Sequence, residues 1–120
     1  MIESCVTFLP VNDIEETTRF YTEVVGLKLW QDQGKCRIFQ CGQGFWGFCQ
    51  YGDGRALATG VCLSLNMEDK NDVDEKYLSV KAAGADVIQP PQKHKDFPVY
   101  SCFVHDPNGY LLEFQKILHE

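Results

Sequence analysis

The sequence predicts an α+β fold made of two paired βαβββ modules, whose curved sheets enclose a cavity. Two observations predict this fold. The order strand, helix, glycine and strand occurs twice, and the two helices end in the same way at Val24–Leu27 and Ala82–Ala85. A module of roughly 55 residues with one amphipathic helix can cover only one face of its sheet. The uncovered faces are therefore expected to curl around a cavity.

The modules are predicted to span residues 1–51 and 60–120 of a single domain, residues 1–120, with residues 52–59 as the linker. A chain of 120 residues has the length of one domain. Its apolar residues make up 44% of the chain, which is enough for a hydrophobic core and excludes a disordered protein.

In the first module, Asn12 or Asp13 can cap a helix, and apolar side chains recur at helical spacing as far as Gly26. The helix is therefore predicted over residues 13–25. The segment Gly42-Gln43-Gly44 is expected to form a hairpin loop. The four strands are predicted at Cys5–Val11, Leu27–Gln31, Lys35–Cys41 and Phe45–Tyr51.

The second module repeats this order. Asn71 or Asp72 opens a helix predicted over residues 72–83, and Gly84 ends it. The segment Asp106–Gly109 has the residue preferences of a type I turn with a bulge. Strands are predicted at Val61–Met67, from Val87 onward, at Phe97–His105 and at Tyr110–Leu118.

The segment Gln89–Asp96 is predicted to be a loop between strands, because it contains Pro90-Pro91 and three consecutive basic or titratable residues at Lys93–Lys95. Two interpretations stay open. The loop could be a lid that offers cationic contacts to an acidic ligand. The commoner role of such a charged loop is simply to be solvated.

The charge of the chain argues against two kinds of partner. It has 11 basic and 17 acidic residues, a net charge of −6, so neither a nucleic-acid backbone nor an anionic membrane surface is expected to bind. No apolar stretch approaches the ~20 residues of a membrane-spanning helix. The start of the chain also lacks the basic and apolar regions of a secretory signal. The predicted location is cytoplasmic.

The cysteines are predicted to be free thiols. Most of them lie inside strand-like apolar segments, and a reducing compartment keeps such thiols reduced. No Cys-x-x-Cys pair and no zinc-finger spacing occurs. The six residues are Cys5, Cys36, Cys41, Cys49, Cys62 and Cys102.

Three segments carry a family resemblance. They are Leu9–Asp13 leading into Arg19–Leu27, then Val80–Ala85, and finally Asp106–Phe114. In this order and spacing the chain resembles the vicinal oxygen chelate superfamily, which contains glyoxalases, bleomycin-resistance proteins and ring-cleaving dioxygenases. The resemblance implies the paired βαβββ fold, usually in a homodimer, and a small-molecule ligand.

Members with metal chemistry place one ligand on the first and fourth strands of each module, and the resemblance maps these positions onto Val6, Gly47, Cys62 and Glu113. Val6 and Gly47 have no side-chain ligand atoms, and Cys62 with Glu113 is a pair of soft and hard ligands. No metal or other cofactor is therefore expected, with a divalent metal as the alternative. The histidines are interpreted as solvated or turn-adjacent residues: His94, His105 and His119.

A ligand site is predicted on the cavity faces of the strands. Glu113 is the best candidate for a catalytic residue, because a carboxylate inside an apolar strand costs free energy unless it is paired or meets water. The alternative is a structural ion pair with Arg37. Cys62 is a candidate nucleophile, although a buried thiol is the stronger interpretation. The predicted ligand-binding residues are Phe8, Arg37, Phe39, Trp46, Cys62, Ser64, Phe103 and Glu113.

These residues depend on two predicted registers. A three-residue hairpin loop pairs Arg37 with Cys49 and places Phe39 opposite Gly47. The turn at Asp106–Gly109 places Phe103 opposite Glu113.

Three functions follow from this site. The first is a small-molecule-binding protein that binds an aromatic or amphipathic ligand without a chemical step. The alternative is a metal-dependent lyase, isomerase or dioxygenase of the same superfamily, so the sequence leaves open whether the protein is an enzyme. The third is a degenerate module that acts as a partner protein.

Overall fold

Two units make up the chain in a computed structural model that describes residues 1–119. The contacts within the chain divide it into Met1–Thr59 and Gly60–Glu120. Each unit has one four-stranded mixed sheet and one helical segment, in the order strand, helix and three strands. The predicted α+β fold with two βαβββ modules and curved sheets is therefore confirmed. None of the helices in the described part of the chain is long and apolar enough to span a membrane.

The first unit has the strand order β1-β4-β3-β2, with β1 parallel to β4 and the other pairs antiparallel. Its elements are β1 (Val6–Pro10), α1 (Ile14–Arg19), a π-helical segment (Phe20–Val25), β2 (Lys28–Asp32), β3 (Cys36–Cys41) and β4 (Gly44–Cys49). The second unit repeats the arrangement as β5-β8-β7-β6, with β5 parallel to β8. Its elements are β5 (Cys62–Asn66), α2 (Lys70–Ala82), β6 (Asp86–Lys93), β7 (Val99–His105) and β8 (Leu111–Ile117).

The first helix begins at Asp13, whose Oδ1 accepts hydrogen bonds from the backbone N–H groups of Glu15 and Glu16 at 3.0 and 3.2 Å. After Arg19 it continues as a π-helix, which differs from the single α-helix predicted over the same residues. The Thr22 hydroxyl donates to the carbonyl of Thr18 at 2.7 Å. Such bonds compete with the helical ladder and favour a local change in winding.

The helix packs on one face of its sheet through aromatic rings. Tyr21 stacks on Phe48 with 4.5 Å between ring centroids, and neither residue is exposed to solvent. Phe39 joins them at 6.1 Å from Tyr21. In each unit we call the side of the sheet that meets the helix the helix face and the opposite side the open face. Because side chains alternate along a strand, this packing assigns every strand residue to one face.

The hairpin between β3 and β4 has a register one residue away from the prediction. Cys41 pairs with Gly44, so the loop is the two residues Gly42-Gln43, with Gly42 at φ 60°. A positive φ at the first loop position is typical of a two-residue type II′ turn. The predicted three-residue loop was wrong, and a shift of one residue moves every β3 side chain to the other face.

This register places Cys36 directly opposite Cys49, and the two form a disulfide. The prediction of six free thiols is therefore wrong for this pair, because it rested on an expected reducing compartment and the pairing of Cys36 with Cys49 was not predicted. The four free cysteines are Cys5, Cys41, Cys62 and Cys102.

In the second unit, α2 begins at Asp69, earlier than the predicted Asn71 or Asp72, because the Asp69 side chain accepts from the backbone N–H of Asp72 at 2.9 Å. Val73 and Val80 are fully buried against the sheet. The segment predicted as a loop from Gln89 is instead part of β6 as far as Lys93. The two prolines fit because β6 is an edge strand whose register shifts between Gln89 and Gln92.

We expect Tyr100→Phe to lower the free energy of unfolding by about 0.5–1.5 kcal/mol, the range for one hydrogen bond at a partly exposed site. The Tyr100 hydroxyl donates to Asp74 Oδ1 at 2.6 Å and joins β7 to α2. Urea unfolding at neutral pH measures the loss, and Tyr77→Phe is the control.

The same bond should weaken in alkali. The hydrogen bond to Asp74, with burial second, raises the pKa of Tyr100 to about 12. The folded-state pKa thus exceeds the unfolded value of about 10. The contribution to stability is therefore complete below pH ~10 and is lost as the pH rises through the folded-state value. A Tyr100 that titrates near pH 10, followed by tyrosinate absorbance, would contradict this bond.

Candidate functional site

The open face of the second sheet carries a hollow of about 350 Å³, which we call the second-unit hollow. Strands β5, β7 and β8 form its floor, and the residues after β6 form its rim. Its lining is mostly apolar, with one carboxylate. The lining residues are Cys62, His94, Phe97, Val99, Phe103, Leu111, Glu113 and Gln115.

Glu113 is central to this hollow because it lies on β8 between two paired strands. It pairs with Phe103 on β7 and with Ser64 on β5. The predicted opposition of Phe103 and Glu113 is confirmed. Glu113 is only 9% exposed, and among the described residues no hydrogen bond or ion pair satisfies its carboxylate. The residue is largely buried and its carboxylate faces the hollow, so a group that supplies hydrogen bonds or positive charge would be bound favourably here.

Two further polar groups on the same face lack partners. The hydroxyls of Ser64 and Ser101 are buried, and neither has a hydrogen-bond partner within the described part of the chain. Ser101 pairs with Gln115, two residues along β8 from Glu113. Buried polar groups in proteins are normally hydrogen-bonded, and exceptions often mark a place for water or a ligand. The open face of this sheet therefore concentrates unsatisfied polar atoms.

Cys62 lies at the start of β5 and lines the same hollow. The residue is exposed, so the interpretation as a buried thiol is wrong. Partial burial of the thiol raises its pKa above the ordinary value, and the negative charge of Glu113 raises it further. The thiol is therefore protonated at neutral pH. Since the thiolate is the nucleophile, the site does not favour nucleophilic catalysis by Cys62.

His94 has a structural role at the rim. Its Nδ1 accepts hydrogen bonds from the backbone N–H groups of Asp96 and Phe97 at 3.0 and 3.2 Å. Its ring lies 4.8 Å from that of Phe97. These contacts fit the prediction of a turn-adjacent histidine. They also hold Phe97, which is 63% exposed, at the edge of the hollow.

A second depression, the first-unit hollow, lies on the open face of the other sheet and has a volume of about 430 Å³. The Cys36–Cys49 disulfide forms part of its wall. Lys35 is the only charged residue in its lining. The lining residues are Phe8, Gln33, Lys35, Cys36, Cys49, Gln50 and Tyr51.

The residues at the family's metal-ligand positions do not fit a divalent metal. Phe8 pairs with Gly47 across β1 and β4, and a Cβ added at Gly47 would lie 2.5 Å from Phe8 Cε1. The Phe8 ring therefore occupies the space into which a ligand side chain from residue 47 would project. Val6 has no ligand atom, and no three His, Cys, Asp or Glu side chains of the described residues come together in a metal-binding group.

Three predicted ligand-binding residues lie on the helix face of the first sheet, so their assignment to the cavity is wrong. Phe39 is fully buried beside Tyr21, and the Trp46 ring lies 6.2 Å from the same Tyr21 ring. Arg37 binds α1. The shifted hairpin register turns Arg37 and Phe39 to the helix face. Trp46 lies two residues from the buried Phe48 on β4, so its side chain is on the same face.

Arg37 forms a surface cluster with the helix. Its guanidinium donates to Glu15 Oε1 at 2.6 Å and to Thr18 Oγ1 at 3.1 Å, and its Nε lies 3.3 Å from Asp32. The hydrogen bond from Arg37 and then its charge lower the pKa of Glu15. The ion pair between Arg37 and Glu113 was suggested because Arg37 was predicted to face the cavity. The guanidinium instead lies on the helix face, where it binds Glu15 and Thr18.

Of the predicted residues, Cys62, Phe103 and Glu113 come together in the second-unit hollow, and Ser64 lies beside them. Phe8 lines the first-unit hollow. Sequence reasoning missed Lys35, Gln33, Gln50, Tyr51 and the disulfide, because they depend on the hairpin register. The preference of two-residue hairpin loops for Gly at the first position is the signal that could have found them. It also missed Phe97, which no sequence pattern marks.

The comparisons with known proteins agree on one family. The model of the Glyoxalase/Bleomycin resistance protein/Dioxygenase superfamily matches residues 2–114. A relative named "Probable lactoylglutathione lyase" in Vibrio cholerae is 27% identical over an alignment 127 residues long. The alignment covers 89% of this chain and 85% of that protein.

Two solved structures illustrate the likeness in three dimensions. A hypothetical protein from S. aureus has a TM-score of 0.78 at 27% identity, with 97% of this chain and 94% of that chain covered. A glyoxalase/bleomycin resistance protein/dioxygenase family enzyme from Burkholderia phytofirmans PsJN has a TM-score of 0.81 at 19% identity, with 94% and 97% covered. At 19% identity the likeness shows the fold alone.

We expect Glu113→Gln to make Cys62 react faster with iodoacetamide at pH 8. Removing the carboxylate charge removes one cause of the raised pKa, so the thiolate fraction at a fixed pH increases. The acceleration should stay below the tenfold that one full pKa unit gives. Peptide mass spectrometry measures the rate at Cys62, and Glu3→Gln serves as the control. An unchanged rate would show that the two groups do not interact.

Proposed function

Because the chain belongs to the glyoxalase, bleomycin resistance protein and dioxygenase superfamily, we propose that it is a small-molecule-binding protein whose ligand occupies the second-unit hollow. The observation that carries this proposal is the largely buried Glu113, whose carboxylate faces the hollow and has no partner among residues 1–119. A hollow of about 350 Å³ is at the lower end of the range of small-molecule sites. The ligand is therefore a compact organic molecule.

The lining indicates the chemistry of this ligand. Phe97 and Phe103 present aromatic surface, which favours a flat or apolar body. Glu113 favours a cationic or hydrogen-bond-donating group at the polar end. The unsatisfied hydroxyls of Ser64 and Ser101 add polar capacity to the same sheet face. An aromatic or amphipathic molecule with one donor group satisfies all of these features.

The proposal involves no metal and no chemical step. Gly47 is covered by Phe8, and Cys62 with Glu113 is a poorly matched ligand pair. The homodimer that the family resemblance implies belongs to the same proposal, and sedimentation analysis tests it.

The second candidate function is a metal-dependent lyase, isomerase or dioxygenase. The relative from Vibrio cholerae, which is named a probable lactoylglutathione lyase, favours it. In such an enzyme Glu113 would be the residue to hold a metal or to act as a base. Metal analysis of the purified protein separates the two functions.

We expect Glu113→Gln to weaken binding of a cationic aromatic probe by about 1–3 kcal/mol, the range for a hydrogen bond to a charged group. Phenethylamine, phenethyl alcohol and phenylacetate share one ring and differ in charge. The amine should bind best to the unmodified protein, and the preference over the alcohol should disappear in Glu113→Gln. Calorimetric titration measures the affinities, and Glu23→Gln is the matched surface control. Equal affinity for all three probes would contradict the proposed role of Glu113.

We also expect the dialysed protein to contain no stoichiometric Ni, Zn, Fe or Mn, and chelators to leave its ligand affinity unchanged. Elemental analysis by mass spectrometry measures the metal content. One tightly bound metal per chain that is lost in Glu113→Gln would overturn the binding-protein proposal and support the enzyme.

A further inference from the structure

We propose that the Cys36–Cys49 disulfide is a thiol–disulfide exchange site, at which small anionic thiols attack Cys36 from the first-unit hollow. This site is independent of the proposed function, since it lies in the first unit and uses neither Glu113 nor any residue of the second-unit hollow.

The position of the disulfide makes it accessible from one side. Both cysteines line the hollow, so an entering molecule meets the bond directly. Cys49 is only 5% exposed, whereas Cys36 is partly exposed at the start of β3. Exchange needs access to one sulfur, and accessible disulfides are the labile ones. Cys36 is therefore the sulfur that is attacked and Cys49 is the leaving group.

The positive charge of Lys35 in the lining of the hollow favours an anionic thiol as the attacking molecule. Lys35 lies next to Cys36 in the chain, and it makes no ion pair among the described residues. Within residues 1–119 no carboxylate lines the hollow, although the whole chain carries a net charge of −6. The attacking species is a thiolate, and an acidic group on the same molecule adds to its attraction to Lys35.

The rim of the hollow offers a place for the rest of the molecule. Tyr51 lines it, and the guanidinium of Arg55 lies 3.7 Å from the centre of the Tyr51 ring. Arg55 also pairs with Asp53 at 2.6 Å, so its charge is largely compensated. Phe8, on β1, provides apolar surface in the lining of the same hollow. A thiol with a short apolar or polar body and an anionic group fits these contacts.

The other thiols are less reactive by comparison. Burial raises the pKa of Cys41 and of Cys62, and it raises the pKa of Cys102 to about 12. These thiols are protonated at neutral pH and exchange slowly. Cys5 and Cys62 are both exposed. Cys5 is removed in the test of the site, whereas the pKa of Cys62 is raised.

The reaction balances as two successive exchanges. A thiolate RS⁻ forms a bond to Cys36 Sγ, the bond between Cys36 and Cys49 breaks, and the Cys49 thiolate takes a proton from water. A second RS⁻ then attacks the sulfur of the bound R group, which releases RSSR and leaves the Cys36 thiolate, which also takes a proton. Two RSH are oxidised to RSSR, and the protein disulfide is reduced to two thiols.

The first sheet can keep its strand pairing after the Cys36–Cys49 bond is broken. Cys36 and Cys49 are at one end of a ladder that continues through the pairs from Arg37–Phe48 to Cys41–Gly44. The backbone pairing therefore holds β3 and β4 in register when the bond is broken. The first exchange leaves an R group on Cys36 inside the hollow, which changes the shape and charge of the wall. The oxidised, reduced and mixed-disulfide forms thus present three different hollows.

The test uses the full chain with Cys5→Ser. Rates of disulfide opening are measured with 3-mercaptopropionate and with cysteamine, which are anionic and cationic thiols of similar size. Each rate is divided by the thiolate concentration and by the rate of the same thiol with a small reference disulfide. We expect the anionic thiol to be favoured. Lys35→Glu changes the local charge by two units, so it should lower this preference by more than the about two- to fivefold effect of one nearby charge in water. Lys28→Glu, on the exposed surface of β2, should leave the preference unchanged.

The site of attack is read by mass spectrometry after acid trapping of the mixed disulfide. The adduct should lie on Cys36 and be absent in Cys36→Ser, whose folding is checked by circular dichroism. Lys35→Gln should give a smaller change of preference than Lys35→Glu, and it serves if the charge reversal does not fold. Five free thiols in air-purified Cys5→Ser protein, an adduct on Cys49, or a preference unaffected by Lys35→Glu would each overturn the proposal.

Discussion

Both units depend on the packing of one helix against one face of a four-stranded sheet. In the first unit Tyr21 stacks on Phe48 at 4.5 Å, and in the second unit Val73 and Val80 are fully buried under α2. Because side chains alternate along each strand, this packing commits half of the strand residues to the core. The other half lie on the open face and do not pack against the helix of their unit. The disulfide, Phe103 and Glu113 all lie on open faces, and a change of register exchanges the two sets of residues completely.

The two open faces are variations on one arrangement. Phe8 pairs with Gly47 across the parallel strands of the first unit, and Ser64 pairs with Glu113 at the corresponding place in the second. In the first pair a large ring covers a residue without a side chain. In the second a small hydroxyl lies beside a long carboxylate. A Cβ at Gly47 would meet Phe8 at 2.5 Å, so the first arrangement excludes a functional side chain from β4. The second leaves the carboxylate facing a hollow without a partner among the described residues.

The sequence was sufficient to predict the order of elements, because the period of apolar residues and the terminal glycines act within a few neighbours along the chain. It also predicted the pairing of Phe103 with Glu113, since a four-residue turn fixes the register of β7 and β8. The same reasoning failed at the other hairpin, where two or three residues starting at Gly42 could form the loop. That single residue decided whether Arg37 faces the helix or the open face. The two-residue turn, which Gly at its first position favours, sets the register and places Phe39 against the helix.

Charge separates the two hollows. In the part of the chain that the structure describes, Glu113 is the only acidic residue lining the second-unit hollow, and Lys35 is the only charged residue lining the first-unit hollow. Glu113 is largely buried, so a ligand that cannot pair with its carboxylate binds less well, and the residue acts on affinity and specificity. Lys35 is exposed and well solvated, so its contribution to affinity is small and it acts mainly by attracting a charged reactant. A buried charge suits a site that retains a ligand, whereas an exposed charge beside a disulfide suits a site that reacts and releases its product. Two copies of one βαβββ plan can therefore differ in chemistry through burial and sign of a single open-face charge.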